Sequence, residues 1–390
     1  MFERLWNQFD IHMQELFRGA SIAFVLKILA AGFGFGLNVV LARLLGADGF
    51  GIYNLAFTVI FVVAAVGRVG MENTLVRFIA ASISIGKPEK ALGVYQKALK
   101  YSLLTALILS CLAYILAPII SINIFGKQDL EQPLSVMSLA IVPLALLTLH
   151  AYALQGIKKI AASITVLSIG VPFIAGIFAI LMVPQFGISA AVWGYLFSTI
   201  VTLLVGRWFW VKATLNLTHI EPKFDTQELL SSSLPLFAGV IMNMIIMWSP
   251  VLLLGMWESS ESVGIFSAAS RTAVLTSFIL IAVNSIAAPK FAALFQQGDI
   301  KTLGLVARES SKIMMLLASP VLFVFVAFPE EVLSIFGDEF KQGALVLMIL
   351  SIGQFINVAT GSVGYLLMMT GNERLMRNNL IFCMFIGLLL

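Results

Sequence analysis

Four charged residues lie inside long apolar runs of this sequence, where a charge is costly. Lys27 and Arg271 have no oppositely charged neighbour within one helical turn, whereas Arg68 and Glu72 are four residues apart. A charge near the centre of a bilayer costs about 2.5–3.5 kcal/mol on insertion scales, so such residues mark either a function or a pairing. A guanidinium binds phosphate oxygens bidentately and an ammonium binds them as a point charge. We therefore predict that Lys27 and Arg271 point into one cavity that binds phosphate.

Each of these charges also has a structural interpretation. The stem of Lys27 is long enough to carry its ammonium to the membrane interface. Arg68 and Glu72 share one helix face, so an ion pair and a ligand-binding or coupling role are equally good interpretations. Arg68 is therefore a weaker candidate for the cavity than the other two cations. Glu72 is the only clear carboxylate inside the apolar runs, which argues against a cavity for organic cations.

Amide side chains occur in the same apolar runs. They could contact sugar hydroxyls or act in gating, although hydrogen bonding between helices is the default interpretation. These amides are Asn38, Asn73, Asn243, Asn284, Gln354 and Asn357. His150 is interpreted as a packed histidine rather than a proton carrier. The three histidines are scattered and there is no Walker A motif, so we expect no metal, no cofactor and no ATP-driven machinery in this chain.

The elements that position these residues are membrane helices. The chain is 60% hydrophobic and 11% charged, against about 25% charged residues in soluble domains. Spacing and setting predict packed cysteines rather than a disulfide between Cys111 and Cys383. Ten segments have the roughly 20 apolar residues of a membrane span, at 20–42, 52–74, 101–123, 133–155, 164–184, 187–210, 233–256, 264–288, 311–329 and 344–368. An eleventh apolar segment begins near Asn379 and reaches Leu390.

The distribution of basic residues predicts the orientation of these spans. Loops after odd-numbered spans hold only Arg43, Lys127 and Lys341, whereas most of the other Lys and Arg residues lie in loops after even-numbered spans. The positive-inside rule then places the N-terminus and the loops after even-numbered spans in the cytoplasm. We expect the protein to lie in the inner, cytoplasmic membrane. Residues 1–19 have apolar residues at helical spacing, which predicts an amphipathic helix on the membrane surface. Packing of that helix on a soluble partner is the alternative.

Short motifs recur about 213 residues apart. Gly51-Ile52-Tyr53 matches Gly264-Ile265-Phe266, and three further pairs of motifs follow in the same order with similar offsets. This pattern predicts a parallel repeat of about six helices. The expected lobes are 20–228 with spans 1–6, and 229–390 with spans 7–10 and the start of span 11. Counterparts of spans 5 and 6 would end beyond Leu390, so we expect a truncated second lobe.

Two glycine-rich stretches have the composition of phosphate-binding loops but the wrong context. "GFGFG" at 32–36 lies inside span 1, and "GADGFGIYN" from Gly46 follows a membrane helix rather than a strand. We predict that Gly32 and Gly36 form a face for close helix contact. The stretch from Gly46 is expected to be the outer turn between spans 1 and 2, with Ser260–Ser270 as its repeat. The acidic pairs at 330–331 and 338–339 are interpreted as solvated turns.

Two stretches of this sequence resemble a known family. Lys27–Ala80, "KILAAGFGFGLNVVLARLLGADGFGIYN" and onwards, is similar to the opening of bacterial polysaccharide transporters. The second-half stretches "ESVGIFSAASR" and "APKFAALFQQGD" are similar to the same family, which belongs to the multidrug/oligosaccharidyl-lipid/polysaccharide exporter superfamily. The resemblance implies two six-helix lobes around a central cavity with basic residues, for which Lys27 and Arg271 occupy suitable helices. It also implies flipping of a polyprenyl-pyrophosphate-linked oligosaccharide between leaflets.

Three functions are compatible with these features. The leading hypothesis is a flippase for a lipid-linked oligosaccharide, working by alternating access in surface polysaccharide (lipopolysaccharide) biosynthesis, with membrane lipids and polysaccharide assembly proteins as partners and no nucleic acid. A cation-coupled multidrug exporter of the same superfamily is the alternative. A membrane polymerase or glycosyltransferase ranks last, because such enzymes usually have a large outer loop or paired acidic residues at a membrane face. We therefore expect a transporter rather than an enzyme.

Overall fold

The computed structural model describes residues 11–217, 222, 224, 226–370, 372, 375, 378–379 and 381–383. Helices and turns account for this part of the chain, and it contains no strand. The all-α prediction is therefore confirmed. The first ten residues of the predicted surface helix lie wholly outside these ranges. Of the predicted eleventh segment, only residues 379 and 381–383 lie inside them. Residues 11–19 are helical and continuous with the first predicted span.

The helices are numbered here in chain order. Their bounds are α1 (Ile11–Gly67), α2 (Met71–Ser84), α3 (Pro88–Ile119), α4 (Glu131–Ser138), α5 (Ile141–Gly156), α6 (Ile160–Ile164), α7 (Gly170–Ala213), α8 (Thr226–Trp257), α9 (Ser260–Ala273), α10 (Phe278–Gln296), α11 (Ile300–Ala327), α12 (Pro329–Leu333), α13 (Ala344–Thr360) and α14 (Val363–Met369). Short π-helical turns at Ile120–Ile124 and Thr165–Ile169 follow α3 and α6, and a 3-10 turn at Val274–Ser277 joins α9 to α10.

Glycines interrupt the two longest helices. Gly46 breaks α1 with φ 70° and ψ 177°, and Gly187 breaks α7 with φ 58°. Both conformations lie in the positive-φ region that glycine adopts without steric cost. The break at Gly46 falls in the loop that the sequence predicts between spans 1 and 2, and the break at Gly187 falls at the first residue of predicted span 6. Each break therefore divides one long helix at a predicted boundary between two spans.

Among the described residues, seven helices are long and apolar enough to cross a membrane. An eighth span is added if the bent pair Gln128–Ser138 and Ile141–Gly156, which meet at 47°, counts as one. The protein is therefore a multi-pass membrane protein. One of the seven, Ala23–Gly67, has 45 residues, more than twice the roughly 20 that a span requires. The predicted total of ten spans stays a prediction.

Two compact units can be described separately. The first comprises the chain up to Leu44 together with Leu55–Met244. Its centre is α5, which packs against α2, α3 and α7 and buries Leu147, Leu149 and Leu154 almost completely. On α3, large apolar side chains such as Ile108 and Ile115 remain exposed. An exposed apolar face of this kind suits lipid rather than water.

The second unit comprises Leu45–Asn54 and Ile245–Leu390. In its core, α13 packs against α9 and α11, and Val358 of α13 contacts the region of Met314 and Ala318 on α11. The segment Leu45–Asn54 belongs to this unit although its neighbours in sequence belong to the first. The predicted lobes at 20–228 and 229–390 stay a prediction, because the two compact units are defined by contacts between residues and not by the sequence repeat.

Among the described residues, no close helix contact occurs at Gly32 or Gly36. A Cβ added at Gly32, Gly34 or Gly36 would meet no described atom within 4 Å. This prediction was wrong because a small-xxx-small pattern permits close approach without requiring it. The close approaches occur at other glycines, including Gly51, Gly70 and Gly264.

Candidate functional site

Arg271 lies near the C-terminal end of α9 and is half-buried. Its guanidinium carbon is 5.3 Å from the centroid of the Trp248 ring, within the range of a cation–π interaction. Among the residues that the structure describes, Arg271 has no carboxylate partner. Its N–H donors are therefore held in place by an aromatic face and remain available to an anion.

Arg68 and Glu72 form a buried ion pair. The Arg68 Nε donates to Glu72 Oε1 at 2.5 Å, and each residue is only 5% exposed. The pair spans the short non-helical turn between two helices, since α1 ends at Gly67 and α2 begins at Met71. The sequence is equally compatible with an ion pair and with a ligand-binding or coupling role, and the structure shows the ion pair. Arg68 therefore has a counter-charge, whereas the described residues provide none for Arg271.

The break itself needs a glycine. Gly70 caps α2 with φ 69°, and an added Cβ would lie 2.6 Å from the Ser233 carbonyl oxygen and 2.7 Å from the Phe237 nitrogen of α8. No larger residue fits this approach without moving α8. The second carboxylate oxygen of Glu72, Oε2, is buried and has no hydrogen-bond partner within the described ranges. A buried polar atom without a partner is rare enough to suggest a role.

Lys27 is exposed on the first segment of α1. The described residues provide no ion pair for its ammonium. It resembles Arg271 in this respect and differs from Arg68. Lys27 belongs to the first compact unit and Arg271 to the second, so their shared cavity stays a prediction.

The predicted amide contacts divide into two groups. Asn38 donates to Gly34 O of its own helix at 2.7 Å, Gln354 accepts from Ser277 at 2.5 Å, and Asn284 accepts from Ser362. The last two join separate elements, as expected for amides that stabilise helix packing. The second group is exposed and consists of Asn73, Asn243 and Asn357. The exposed amides are the better candidates for contact with a ligand.

His150 is packed, as the sequence predicts. It is 4% exposed, and its Nδ1 lies 2.7 Å from Leu146 O while its Nε2 lies 3.0 Å from the Tyr95 hydroxyl. Because a carbonyl oxygen only accepts, Nδ1 carries a hydrogen. Tyr95 in turn stacks on Trp210 with the ring centroids 4.1 Å apart. This cluster joins α3, α5 and α7.

The stretches from Gly46 and from Ser260, expected to be turns, are helical after Gly46 and from Ser260 onwards. The first turns of these two helical segments cross and contact each other reciprocally, which the sequence did not predict. A Cβ on Gly51 would overlap the carbonyl oxygen of Ser260, and a Cβ on Gly264 would overlap that of Ala47. The two contacts are related by the same offset of 213 residues, since 47 + 213 = 260 and 51 + 213 = 264. All four residues lie in the second compact unit. The repeat therefore has a local two-fold relation at this crossing.

Glu339 has a more specific role than the solvated turn that the sequence predicts. It is exposed, but its Oε2 accepts a hydrogen bond from Ala47 N at 2.8 Å. Ala47 is the first residue after the break at Gly46, so the carboxylate satisfies a free N–H at the start of a helical segment. The equivalent start of α9 is capped locally, by Ser259 accepting from Ser262 N. No local sequence signal connects residues 292 positions apart.

No group of three or more potential metal ligands occurs within the described ranges. The candidate residues are instead cations, amides and aromatic rings, and each compact unit contains some of them. Groups of these kinds bind anionic or polar ligands by charge, hydrogen bonding and stacking.

Comparisons with known proteins identify a matching family and relatives of this chain. The sequence profile of a family described as "Polysaccharide biosynthesis protein" matches residues 16–295. A candidate O-antigen transporter of Shigella flexneri is 26% identical over 369 residues, which cover 90% of this chain and 81% of the relative.

Two solved structures have the same fold. A multidrug resistance MATE family transporter of the MOP superfamily, in an inward-facing conformation, matches with a TM-score of 0.73 at 16% identity, covering 95% of this chain and 88% of the other. The lipid II flippase MurJ, in an inward closed conformation, matches with a TM-score of 0.71 at 14% identity, covering 93% and 78%.

Proposed function

We propose that this chain, which belongs to the polysaccharide biosynthesis protein family, moves a polyprenyl-pyrophosphate-linked oligosaccharide across the cytoplasmic membrane by alternating access. The relative in Shigella flexneri is described as a candidate O-antigen transporter, and a protein of the same fold is a lipid II flippase. The product would enter surface polysaccharide biosynthesis. The activity is transport and not catalysis, and polysaccharide assembly proteins are the expected partners.

The isolation of Arg271 is the observation that carries this proposal. Its guanidinium is half-buried against Trp248 in a membrane helix and has no described counter-charge. An unpaired cation in such a place is stabilised when an anion binds, and a diphosphate offers the planar pairs of oxygens that a guanidinium contacts bidentately. Lys27 would add a second positive charge. The lipid tail would stay in the bilayer while the headgroup crosses.

The remaining candidate residues have graded roles in this proposal. Asn73 and Asn243 are exposed and would contact sugar hydroxyls. Asn38, Asn284 and Gln354 would contribute only if they exchanged their present hydrogen bonds for a ligand. Arg68 would contribute only on release from Glu72. The two six-helix lobes and a cytoplasmic N-terminus complete the proposed architecture.

The test replaces Lys27 and Arg271 singly by Ala and by the other basic residue, in cells that depend on this protein for surface polysaccharide. We expect each alanine variant to lower export about tenfold or more, because a hydrogen-bonded charge contributes roughly 1.5–3 kcal/mol. Lys312→Ala is the matched control, since Lys312 is an exposed cation paired with Glu309. Full export by the double alanine variant at normal protein level would overturn the proposed role of the cations.

A cation-coupled multidrug exporter is the second candidate. The buried Glu72, with one oxygen unpartnered by any described residue, is the observation that favours it, because such a carboxylate can take up a cation or a proton. The fold is shared with a multidrug resistance transporter. Drug resistance on expression that Glu72→Gln abolishes, together with normal surface polysaccharide in a deletion strain, would support this candidate over the flippase.

A further inference from the structure

One face of α7 carries large apolar side chains that remain exposed. Phe197 is 51% exposed, Leu204 60% and Trp208 56%. These residues are seven and four positions apart, which places them on one side of an α-helix. The stretch from Phe197 to Trp208 covers about 16 Å of the helix axis. One leaflet contributes about 15 Å to a hydrocarbon core of about 30 Å, so this face has the length of the acyl chains of a single lipid.

Basic side chains lie at the C-terminal end of this face. Lys212 is one turn beyond Trp208, and its Nζ lies 5.1 Å from the centroid of the Trp208 ring. Arg207, directly before Trp208, is exposed as well. An aromatic ring holds a cation without neutralising it, so both charges remain able to bind an anion. Tryptophan beside Lys or Arg is also typical of the depth at which lipid headgroups begin.

The surrounding part of the sequence has no acidic residue to balance these charges. Between Glu131 and Glu221 the chain contains no Asp or Glu. The Lys and Arg residues of the same segment are Lys158, Lys159, Arg207 and Lys212. All four are exposed, and none of them forms an ion pair within the described ranges.

Helix packing places two of these lysines near the end of α7. α5 packs against α7, and an added Cβ on Gly206 would lie 3.4 Å from the His150 Cβ. His150 and Gly206 each lie about two turns before the end of their helix. In the predicted orientation both helices end at the cytoplasmic face. Lys158 and Lys159, which follow α5, are therefore expected at the same depth as Lys212.

We propose that the C-terminal end of α7 is a binding site for an anionic phospholipid of the inner leaflet. The guanidinium of Arg207 and the ammonium of Lys212 contact the headgroup phosphate, and the acyl chains lie along the face from Phe197 to Trp208. A zwitterionic lipid offers the same phosphate but adds an ammonium, which these cations repel. The site therefore prefers an anionic headgroup. The proposal does not rest on the proposed function, because it requires only that α7 spans the membrane.

Fluorescence quenching by brominated lipids measures this preference. The full chain is placed in phosphatidylcholine nanodiscs that contain a minor fraction of one brominated lipid, either phosphatidylglycerol or phosphatidylethanolamine. Trp208→Phe, made in the parent and in each variant, gives the background from the other tryptophans. We expect phosphatidylglycerol to quench Trp208 at a several-fold lower fraction than phosphatidylethanolamine does. Equal quenching by the two lipids would overturn the proposal.

Substitution of the two cations tests their part in the preference. Lys212→Gln should lower the ratio of the two apparent binding constants about fivefold, because a basic residue near an anionic membrane surface contributes about 1 kcal/mol. The double variant Arg207→Gln, Lys212→Gln should abolish the preference. Lys312→Gln is the matched control, since Lys312 is an exposed lysine paired with Glu309, and it should change the ratio less than about twofold. A double variant that keeps the ratio of the parent would contradict the site.

Two further outcomes would assign the basic end of α7 to a different ligand. Inorganic phosphate, compared with chloride at equal ionic strength, should leave quenching by phosphatidylglycerol unchanged, because the acyl chains also hold the lipid. Loss of that quenching in phosphate would show a site for free anions and not for a lipid. A double variant that loses export but keeps the lipid preference of the parent would show that these charges serve a soluble anionic partner, and the lipid site would be wrong.

Discussion

Two arginines in apolar segments of this protein have opposite surroundings. Arg68 is buried, and its Nε is 2.5 Å from a carboxylate oxygen of Glu72, at the start of the next helix. Arg271 is half-buried and faces the ring of Trp248, with no carboxylate among the described residues. The sequence places both in membrane spans, where either charge would be costly alone. The free-energy cost of a charge in a membrane span is therefore offset differently at the two residues.

The difference separates a structural charge from one that can bind a ligand. Arg68 and Glu72 neutralise each other across the break between α1 and α2, so the pair holds that break in one geometry. Arg271 is positioned by an aromatic face, which orients a guanidinium without neutralising it. An anion that enters supplies the missing charge. The comparison predicts that stability depends most on the pair and that transport depends most on Arg271.

Removing Glu72 tests the first half of the comparison and should have the largest effect. Glu72→Ala leaves Arg68 buried and unpaired, which costs about 3–5 kcal/mol in other proteins. We expect a much lower thermal unfolding temperature in detergent and reduced accumulation in the membrane. Glu309→Ala breaks an exposed pair with Lys312 and should cost roughly 0.2–1 kcal/mol.

A double variant makes this prediction sharper. Replacing Arg68 by Met and Glu72 by Leu removes both charges at once, and apolar substitutes for a buried pair are often neutral or stabilising. We expect the double variant to recover most of the stability that Glu72→Ala loses. A double variant as unstable as the single one would show that packing at the break, and not the unpaired charge, causes the loss.

Sequence reasoning succeeded where the partner is local. The spacing of four residues predicted the pairing of Arg68 with Glu72, but the pair spans the non-helical turn at 68–70 and does not lie on one helix face as expected. The breaks at Gly46 and Gly187 follow from the lengths of the apolar segments. The duplicated turns follow from matching motifs.

Contacts between distant residues could not be predicted in this way. Trp248 lies on a different helix from Arg271, and many aromatic residues could have faced that arginine. Glu339 is 292 residues from Ala47, and a carboxylate in an acidic turn gives no sign of a backbone partner. Gly32 and Gly36 show the converse error, because a glycine pattern states what a helix permits and not where its neighbour lies.

Removing the aromatic face tests the second half of the comparison. A cation–π contact contributes about 0.5–2 kcal/mol, depending on desolvation, so Trp248→Leu should lower export by roughly two- to thirtyfold. Trp248→Phe keeps a weaker ring and should fall between the Leu variant and the parent. The measured quantity is export of surface polysaccharide at matched protein level. Equal export by parent and Leu variant would show that the ring does not position Arg271 for transport.

Removal of an exposed charge outside the spans should have the smallest effect among these substitutions. Asp299 precedes α11 and its carboxylate accepts from Thr302 N at 3.0 Å; hydrogen bonds from Thr302 lower the pKa of this carboxyl below its ordinary value. Because the folded pKa is the lower one, the charged cap stabilises the folded state above the unfolded pKa, and this contribution is lost as the pH falls through the folded pKa. Asp299→Ala should therefore lower the unfolding temperature slightly near pH 7, with the difference from the parent shrinking below about pH 4. A difference that stays constant down to pH 3 would show that Asp299 acts through packing and not through its charge, unlike either arginine site.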